Sequence, residues 1–317
     1  MFSASVIICA HNPRQDYLAH VLDALRRQTL PLPQWELLLV DNGSDVPLAP
    51  EWDLAWHPHA RHIRENELGL TTARLCGIRA ATANLLVFVD DDNILDPRYL
   101  EIALDLAADW PKIGVFGGSQ IAQYEQEPND EIRDFAHLLA VRTIRQVLWT
   151  NVKGIDEATP RGAGMCLRRP LALRYMELVE SNRLRKTLDR SGQDGLLSGG
   201  DTDMVWCVCD FGYGMLVTPA LTLTHQIDKK RLDPSYLIKI VEGYGASNIV
   251  LTQIHNLPKS KSTLIDNARD LLRILQSNGL VGKRITIADL RGRWRGGEIL
   301  RRNKELSLPA PGESPQE

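Results

Sequence analysis

Three consecutive carboxylates, Asp90-Asp91-Asp92, follow directly on an apolar run, Leu85-Leu86-Val87-Phe88-Val89. Adjacent carboxylates repel each other and contribute little to a fold. Where a buried strand reaches the surface, they make a site that needs a cation. Hard divalent ions such as Mg²⁺ and Mn²⁺ are commonly held by one or two carboxylates together with a substrate's phosphates. The expected chemistry is therefore metal-assisted, on a phosphorylated substrate. Other polar groups stand at comparable places. Ala10-His11-Asn12-Pro13 ends the run Ser5-Val6-Ile7-Ile8-Cys9-Ala10, and Asp41-Asn42-Gly43-Ser44-Asp45 ends Glu36-Leu37-Leu38-Leu39-Val40. Further along, Gly199-Gly200-Asp201-Thr202-Asp203 opens an apolar stretch at Met204, a setting in which Asp and Thr also serve as helix caps. His225 follows the strand-like Leu223-Thr224.

Alternating strand and helix signals must position these groups. Leu18, Val21, Leu22 and Leu25 follow helical spacing, with Asp16 near the start as a cap. Helices are expected over Thr71–Ala83 and from Pro97, where Tyr99, Ile102, Ala103 and Leu106 share a face. A short strand takes in His62-Ile63 and another Ile113–Gly118. Continuous apolar strands between amphipathic helices imply βαβ units and a parallel sheet. Ligands bind such sheets beyond the carboxyl ends of the strands. If these strands are neighbours, the three polar turns converge on one edge. Residues 131–148 read as a helix, and 150–164 as a polar, mobile loop. Met165-Cys166-Leu167 reads as a strand, as does Gly214–Val217 leading to His225. Residues 235–278 read as mostly helical.

Composition narrows the function classes. The 317 residues suit one large domain or two smaller ones, and 44% hydrophobic with 24% charged residues is ordinary for a globular protein. A net charge of -3 gives no argument for nucleic acid. Five cysteines without metal-site spacing fit a reducing, cytoplasmic compartment, with Cys9, Cys207 and Cys209 as packed core residues. The N-terminus lacks the basic segment of a signal peptide. No apolar run reaches the roughly 18 residues of a membrane span.

Taken in order, these segments resemble family 2 glycosyltransferases, inverting enzymes with a GT-A fold. The resemblance runs from about Ser5 to His225. It is carried by Ser5–Asn12, Leu39-Val40-Asp41-Asn42-Gly43-Ser44, Asn66-Glu67-Leu68-Gly69-Leu70 with Ala73-Arg74 and Gly77-Ile78, Val89-Asp90-Asp91-Asp92 as the DxD segment, and Gly199–Asp203. It implies an α/β fold with a Rossmann-like, mostly parallel sheet flanked by helices, and a Mn²⁺ or Mg²⁺ cofactor. It also implies a nucleotide-diphosphate sugar of UDP, GDP or dTDP type and a hydroxyl acceptor. Asp41 would contact the nucleotide base, with Ala10, His11 and Asn12 lining the same pocket and Arg74 near the diphosphate. Asp90 would lie by the ribose and the metal's water shell, Asp92 would ligate the metal, and His225 would be a further ligand. Asp201 would be the general base, with Asp203 its rival. The family usually has Glu-Asp where this chain has Gly200-Asp201. Trp149 is assigned chiefly to core packing, with sugar stacking as the alternative. Arg161 could close over the diphosphate.

The expected organisation is a catalytic domain over 1–228, a helical, basic extension over 229–305 and a disordered tail over 306–317. Residues 273–304 carry nine Lys/Arg against two Asp/Glu. With Leu290, Trp294, Ile299 and Leu300 among them, they suit peripheral contact with an anionic membrane and a lipid-linked acceptor. Gly292, Gly296 and Gly297 should interrupt any long helix there. Two rivals are a sugar nucleotidyltransferase, whose glycine-rich phosphate loop is missing after the first strand, and a non-catalytic sugar-nucleotide-binding protein.

Overall fold

The computed structural model describes residues 2–188, 197–258 and 279–305. The polar turns do meet at one sheet edge. Strands β1 (Ala4–Ala10), β2 (Trp35–Asn42), β3 (Ala60–Glu65) and β4 (Leu85–Asp90) lie parallel in the order β3-β2-β1-β4. Cys9 pairs with both Val40 and Asp90, so the three strand ends are level. The sheet continues from β4 through β8 (Cys166–Arg168), β6 (Ile113–Tyr124) and β9 (Gly214–Ile227) to β5 (Asn93–Leu95). β8 runs antiparallel to β4 and β6, and β9 parallel to β6. β5 and β7 (Leu148–Thr150) both run antiparallel to β9.

Both faces of the sheet are covered, so its strands read as unbroken apolar runs. Val6 and Ile8 of β1 point into one core, where α1 (Gln15–Arg26) and α3 (Tyr99–Asp109) pack. Ile7 and Cys9 point into the other, under α2 (Leu70–Ala80), α4 (Arg169–Ser181) and α5 (Gly200–Asp210). α2 lies so near the sheet that a Cβ on Gly77 would fall 2.5 Å from Ile7.

Two regions differ from expectation. Residues 131–148 do not form one helix. A single turn at Asp130–Arg133 and a 3-10 turn at Ala136–Leu139 end at Ala140, whose φ is 60°. The chain then extends along β6, with Arg142 and Gln120 exchanging backbone hydrogen bonds at 2.8 and 3.0 Å. Pairing with the sheet wins over helical spacing because Leu139 still reaches a buried cluster.

The second difference lies in the C-terminal segment. α7 (Gly279–Glu305) is one continuous 27-residue helix, packed on α6 (Pro234–Ile254). Its glycines are contact points. A Cβ on Gly292 would meet the Glu242 carbonyl oxygen at 2.1 Å, and one on Gly296 the Ala246 carbonyl oxygen at 2.7 Å. Gly245 of α6 answers against Asp289 of α7. A helical glycine costs about 1 kcal/mol against alanine, and here the close approach of two backbones offsets it. Ile299 and Leu300 turn inward against Val250 and Leu251, while Leu280, Ile287 and Trp294 are exposed. No helix among the described residues is long and apolar enough to cross a membrane. The tail 306–317 and most of 255–278 lie outside the described residues.

Candidate active site

A cavity of about 670 Å³ opens beyond the ends of β1 and β4. Asp90, Asp91 and Asp92 form part of its wall, and Arg74, Asp201, His225 and Arg231 line it as well. Each reaches the cavity for an identifiable local reason. Asn42, at the end of β2, accepts the Gly69 N–H at 2.9 Å and donates to the Glu67 carbonyl at 2.7 Å. That clamp fixes the start of α2 and so aims Arg74. Gly69 itself has a φ of 146°, which a side chain would strain. Asn93, fully buried, donates to Asp92 Oδ1 at 2.8 Å and orients that carboxylate. Pairing of β5 with β9 sets Asn93 opposite His225, and Asp92 Oδ2 lies 3.3 Å from His225 Nε2.

The carboxylates have different electrostatic surroundings. Burial, with Asp92 and Asp90 beside it, pushes Asp91 up to about 8. Burial also opposes the charge on Asp92, but His225 and Arg231 outweigh it and hold the carboxyl below its ordinary range. Asp90 takes the buried guanidinium of Arg74 at 3.4 Å. Burial opposes the charge on Arg74, and Asp90 and Asp201 outweigh it and raise its pKa.

Asp201 stands in the first turn of α5, whose N-cap, Gly199, contributes no side-chain bond. Asp201 is therefore not the cap. Its Oδ2 accepts the Gly162 N–H at 3.1 Å and its Oδ1 the Thr202 N–H at 2.8 Å. A Cβ on Gly162 would fall 2.7 Å from the Arg74 guanidinium and 2.9 Å from Asp201 Oδ2. Glycine is what lets this loop touch both.

Asp203 is differently placed. It is fully buried, ion-paired to Arg185, and accepts a hydrogen bond from His255 Nε2 at 2.8 Å. Asp203, Cys207 and His255 lie close enough to hold a metal. A cation is already there, since Arg185 Nη1 contacts Asp203 and lies 3.0 Å from Cys207 Sγ. Burial, together with the charge of Asp203, pushes the Cys207 thiol up to about 12, away from the thiolate a metal requires. Cys207 thus has polar company, unlike the plain apolar packing its sequence suggests.

Ala10, His11, Asn12 and Asp41 flank the cavity rather than line it. Asn12, at a φ of 47°, ties the end of β1 to the β2 turn: its N–H donates to Ser44 Oγ at 2.9 Å and its Oδ1 accepts the Asp45 N–H at 2.9 Å. His11 Nδ1 donates to the Asn42 carbonyl at 2.8 Å. Asp41 is engaged at both oxygens, by the N–H groups of Ser44 and Leu48 and by Arg64 at 2.6 Å. Arg161 lines the cavity and pairs with Asp156 at 3.0 Å. Trp149 is 59% exposed on β7, which corrects its assignment to the core. β7 is an edge strand, so its outward face has nothing to pack on.

The model of glycosyl transferase family 2 matches residues 5–163, half of the chain. This chain belongs to that family. EpsH of Bacillus subtilis (strain 168) is 26% identical over 144 residues, which is 40% of this chain and 41% of EpsH. The glycosyltransferase AglE of Haloferax volcanii is 31% identical over 100 residues, 31% of this chain and 33% of AglE. The chain thus matches about two fifths or less of the length of these curated relatives. Among solved structures, the mannosyltransferase PcManGT from Pyrobaculum calidifontis, determined with GDP-Man and Mn²⁺, superposes with a TM-score of 0.56 at 17% identity. That alignment covers 98% of this chain and 81% of PcManGT. TarS residues 1–349 of S. aureus superposes with a TM-score of 0.50 at 13% identity, over 96% and 92% of the two chains. The fold is GT-A.

The departure of this family 2 chain at Gly200 has a steric basis. A Cβ there would fall 2.4 Å from Thr71 Oγ1, on α2. Thr71 occupies the space the usual Glu would need, and nothing adjacent in sequence signals that. Arg231 was also missed. Its only trace is the basic run Lys229-Lys230-Arg231 a few residues after His225. The donor set suits a divalent ion: a carboxylate oxygen and an imidazole nitrogen 3.3 Å apart resemble neighbouring ligands on one small cation.

Proposed function

We propose that this glycosyltransferase moves a sugar from a nucleotide-diphosphate donor to an acceptor hydroxyl with inversion, assisted by Mn²⁺ or Mg²⁺. The observation that carries the reading is one cavity shared by Asp90, Asp92, Arg74 and Asp201, which come from three distant segments. Asp92 and His225 would hold the ion, with Asp90 beside it toward the ribose. A divalent cation bound there supplies Lewis-acid neutralisation of the departing diphosphate. Arg74 adds fixed positive charge between Asp90 and Asp201.

Asp201 is the base. It takes the proton of the acceptor hydroxyl as that oxygen attacks the anomeric carbon. The bond from that carbon to the diphosphate oxygen breaks, and the nucleoside diphosphate leaves on the opposite face. The Gly162 N–H holds Asp201 in its orientation. Asp203 does not serve, because its buried carboxylate is committed to Arg185 and His255. Asp41 shapes the nucleoside side through the turn it braces, together with Ala10, His11 and Asn12. The acceptor side, in this reading, is segment 147–161, whose Gly154, Asp156 and Arg161 line the cavity and whose Val147, Trp149, Val152 and Ile155 are exposed. That apolar rim suits a lipid-linked acceptor.

Thermal unfolding against UDP-, GDP- and dTDP-sugars, with Mn²⁺ or with chelator, tests this reading. A donor at 100 times its Kd adds about 2.7 kcal/mol to stability. Stabilisation is expected only with metal, and only while Asp92 is intact. Donor binding indifferent to both chelation and Asp92→Ala would overturn the metal assignment.

A further inference from the structure

Arg231 occupies the place where the cation belongs. It stands in the turn Lys229–Leu232 between β9 and α6. Its Nη1 lies 2.9 Å from Asp92 Oδ2 and 3.2 Å from His225 Nε2. These are the two atoms assigned above as metal ligands, and the guanidinium bridges them. The contact is not a loose surface pair. The side chains of Arg231, Asp92 and His225 are 22%, 19% and 5% exposed. When His225 Nε2 accepts the Arg231 N–H, the ring proton is on Nδ1. That is also the tautomer whose Nε2 lone pair a metal uses.

A guanidinium and a divalent ion cannot both hold Asp92 Oδ2 and His225 Nε2. For the ion to enter, Arg231 must leave those atoms, and in a half-buried cavity the displaced cation stays within strong repulsive reach of the ion. A diphosphate changes that balance. Its oxygens bind the ion on one side and give Arg231 a new anionic partner on another, in the geometry guanidinium groups favour.

We infer that Arg231 is an internal cation that occupies the metal seat in the donor-free enzyme and passes to the donor's diphosphate as metal and donor bind. The inference rests on the assignment of Asp92 and His225 as ligands. Its consequence is reciprocal coupling: metal binds weakly without nucleotide, and nucleotide weakly without metal. A cation on the chain therefore couples the binding of metal and nucleotide.

The test is Mn²⁺ binding to the full chain, followed by electron paramagnetic resonance or calorimetry, first with Mn²⁺ alone and then with UDP or GDP. The wild-type chain should bind Mn²⁺ alone weakly and at least tenfold more tightly with a nucleotide. R231Q should bind Mn²⁺ alone about tenfold more tightly than wild type and gain less than threefold from nucleotide. R231K, which restores the charge, should behave like wild type. The inference is overturned if R231Q binds Mn²⁺ alone no more tightly than wild type while wild type still binds Mn²⁺ with nucleotide. It is equally overturned if R231K and R231Q behave alike. Absence of Mn²⁺ binding in every arm would remove the metal assignment and this inference together, and D92A, expected to lose Mn²⁺ in all arms, separates that case from the others.

Discussion

At the scale of single residues, the proposed reaction gives the proton and the leaving group to different carboxylates. Asp201→Asn keeps the shape and the Gly162 contact but removes the basic oxygen. Transfer should fall by roughly 10²- to 10⁴-fold, the usual contribution of a general base, with Mn²⁺-dependent donor binding nearly unchanged. Single-turnover transfer and donor titration on the same protein check this. A variant with normal turnover would move the base elsewhere. The contact between Gly200 and Thr71 makes a second prediction. Gly200→Ala overpacks a buried seam and should destabilise the protein by about 1–3 kcal/mol. Thr71→Ala in the same chain should restore most of that loss, a coupling a double-mutant cycle in urea measures directly. The end of each apolar run was legible as a place for polar chemistry, because a buried strand can stop only where it meets solvent. The family resemblance put Asp201 and Asp90 in one site, but how they are joined was not legible. Their link passes through Arg74 and Gly162, which neither residue's neighbours announce.

At the scale of elements, helical spacing foretold α1, α2 and α3 within a few residues, since their apolar faces meet a sheet already formed on either side. It failed where an element's partner decided its form. Residues 131–148 carry helical spacing, yet Arg142 is drawn into backbone pairing with Gln120. In α7 the glycines looked like breaks and are instead the seam with α6. Gly292→Leu should therefore cost about 3 kcal/mol, at the upper end of overpacking penalties, while Gly297→Ala, whose Cβ would meet only the end of Arg301 at 3.9 Å, should be neutral or slightly stabilising. Thermal unfolding of the two variants side by side distinguishes packing from helix propensity. Equal effects would contradict the assigned role of Gly292.

Across the whole molecule, a buried polar knot joins α5 to the C-terminal segment. Asp203 of α5 holds Arg185 from the turn after α4 and His255 from the end of α6, with the Trp206 ring edge-on to His255. Asp203→Ala would leave the Arg185 charge buried without its partner, a loss of about 3–5 kcal/mol. The urea midpoint should fall with little change in slope if the native state stays compact. Because α5 also carries Asp201, residual activity at temperatures below unfolding reports how far the knot positions the proposed base. An Asp203→Ala protein as stable as wild type would contradict this account.

The amino-acid sequence by itself determined the alternation of strand and helix, the polar turns at the strand ends, and the ordered segments that mark the family. Those properties follow from local periodicity and from short motifs, which a linear chain displays openly. Beyond Asp92 and His225, which the family resemblance already joined, tertiary structure decided which charges meet. The return of β9 against β5 brings His225 and Arg231 to Asp92, more than a hundred residues away. α2 beside α5 sets Thr71 against Gly200. Electrostatic and steric contacts act across space rather than along the chain, so no spacing in the sequence records them.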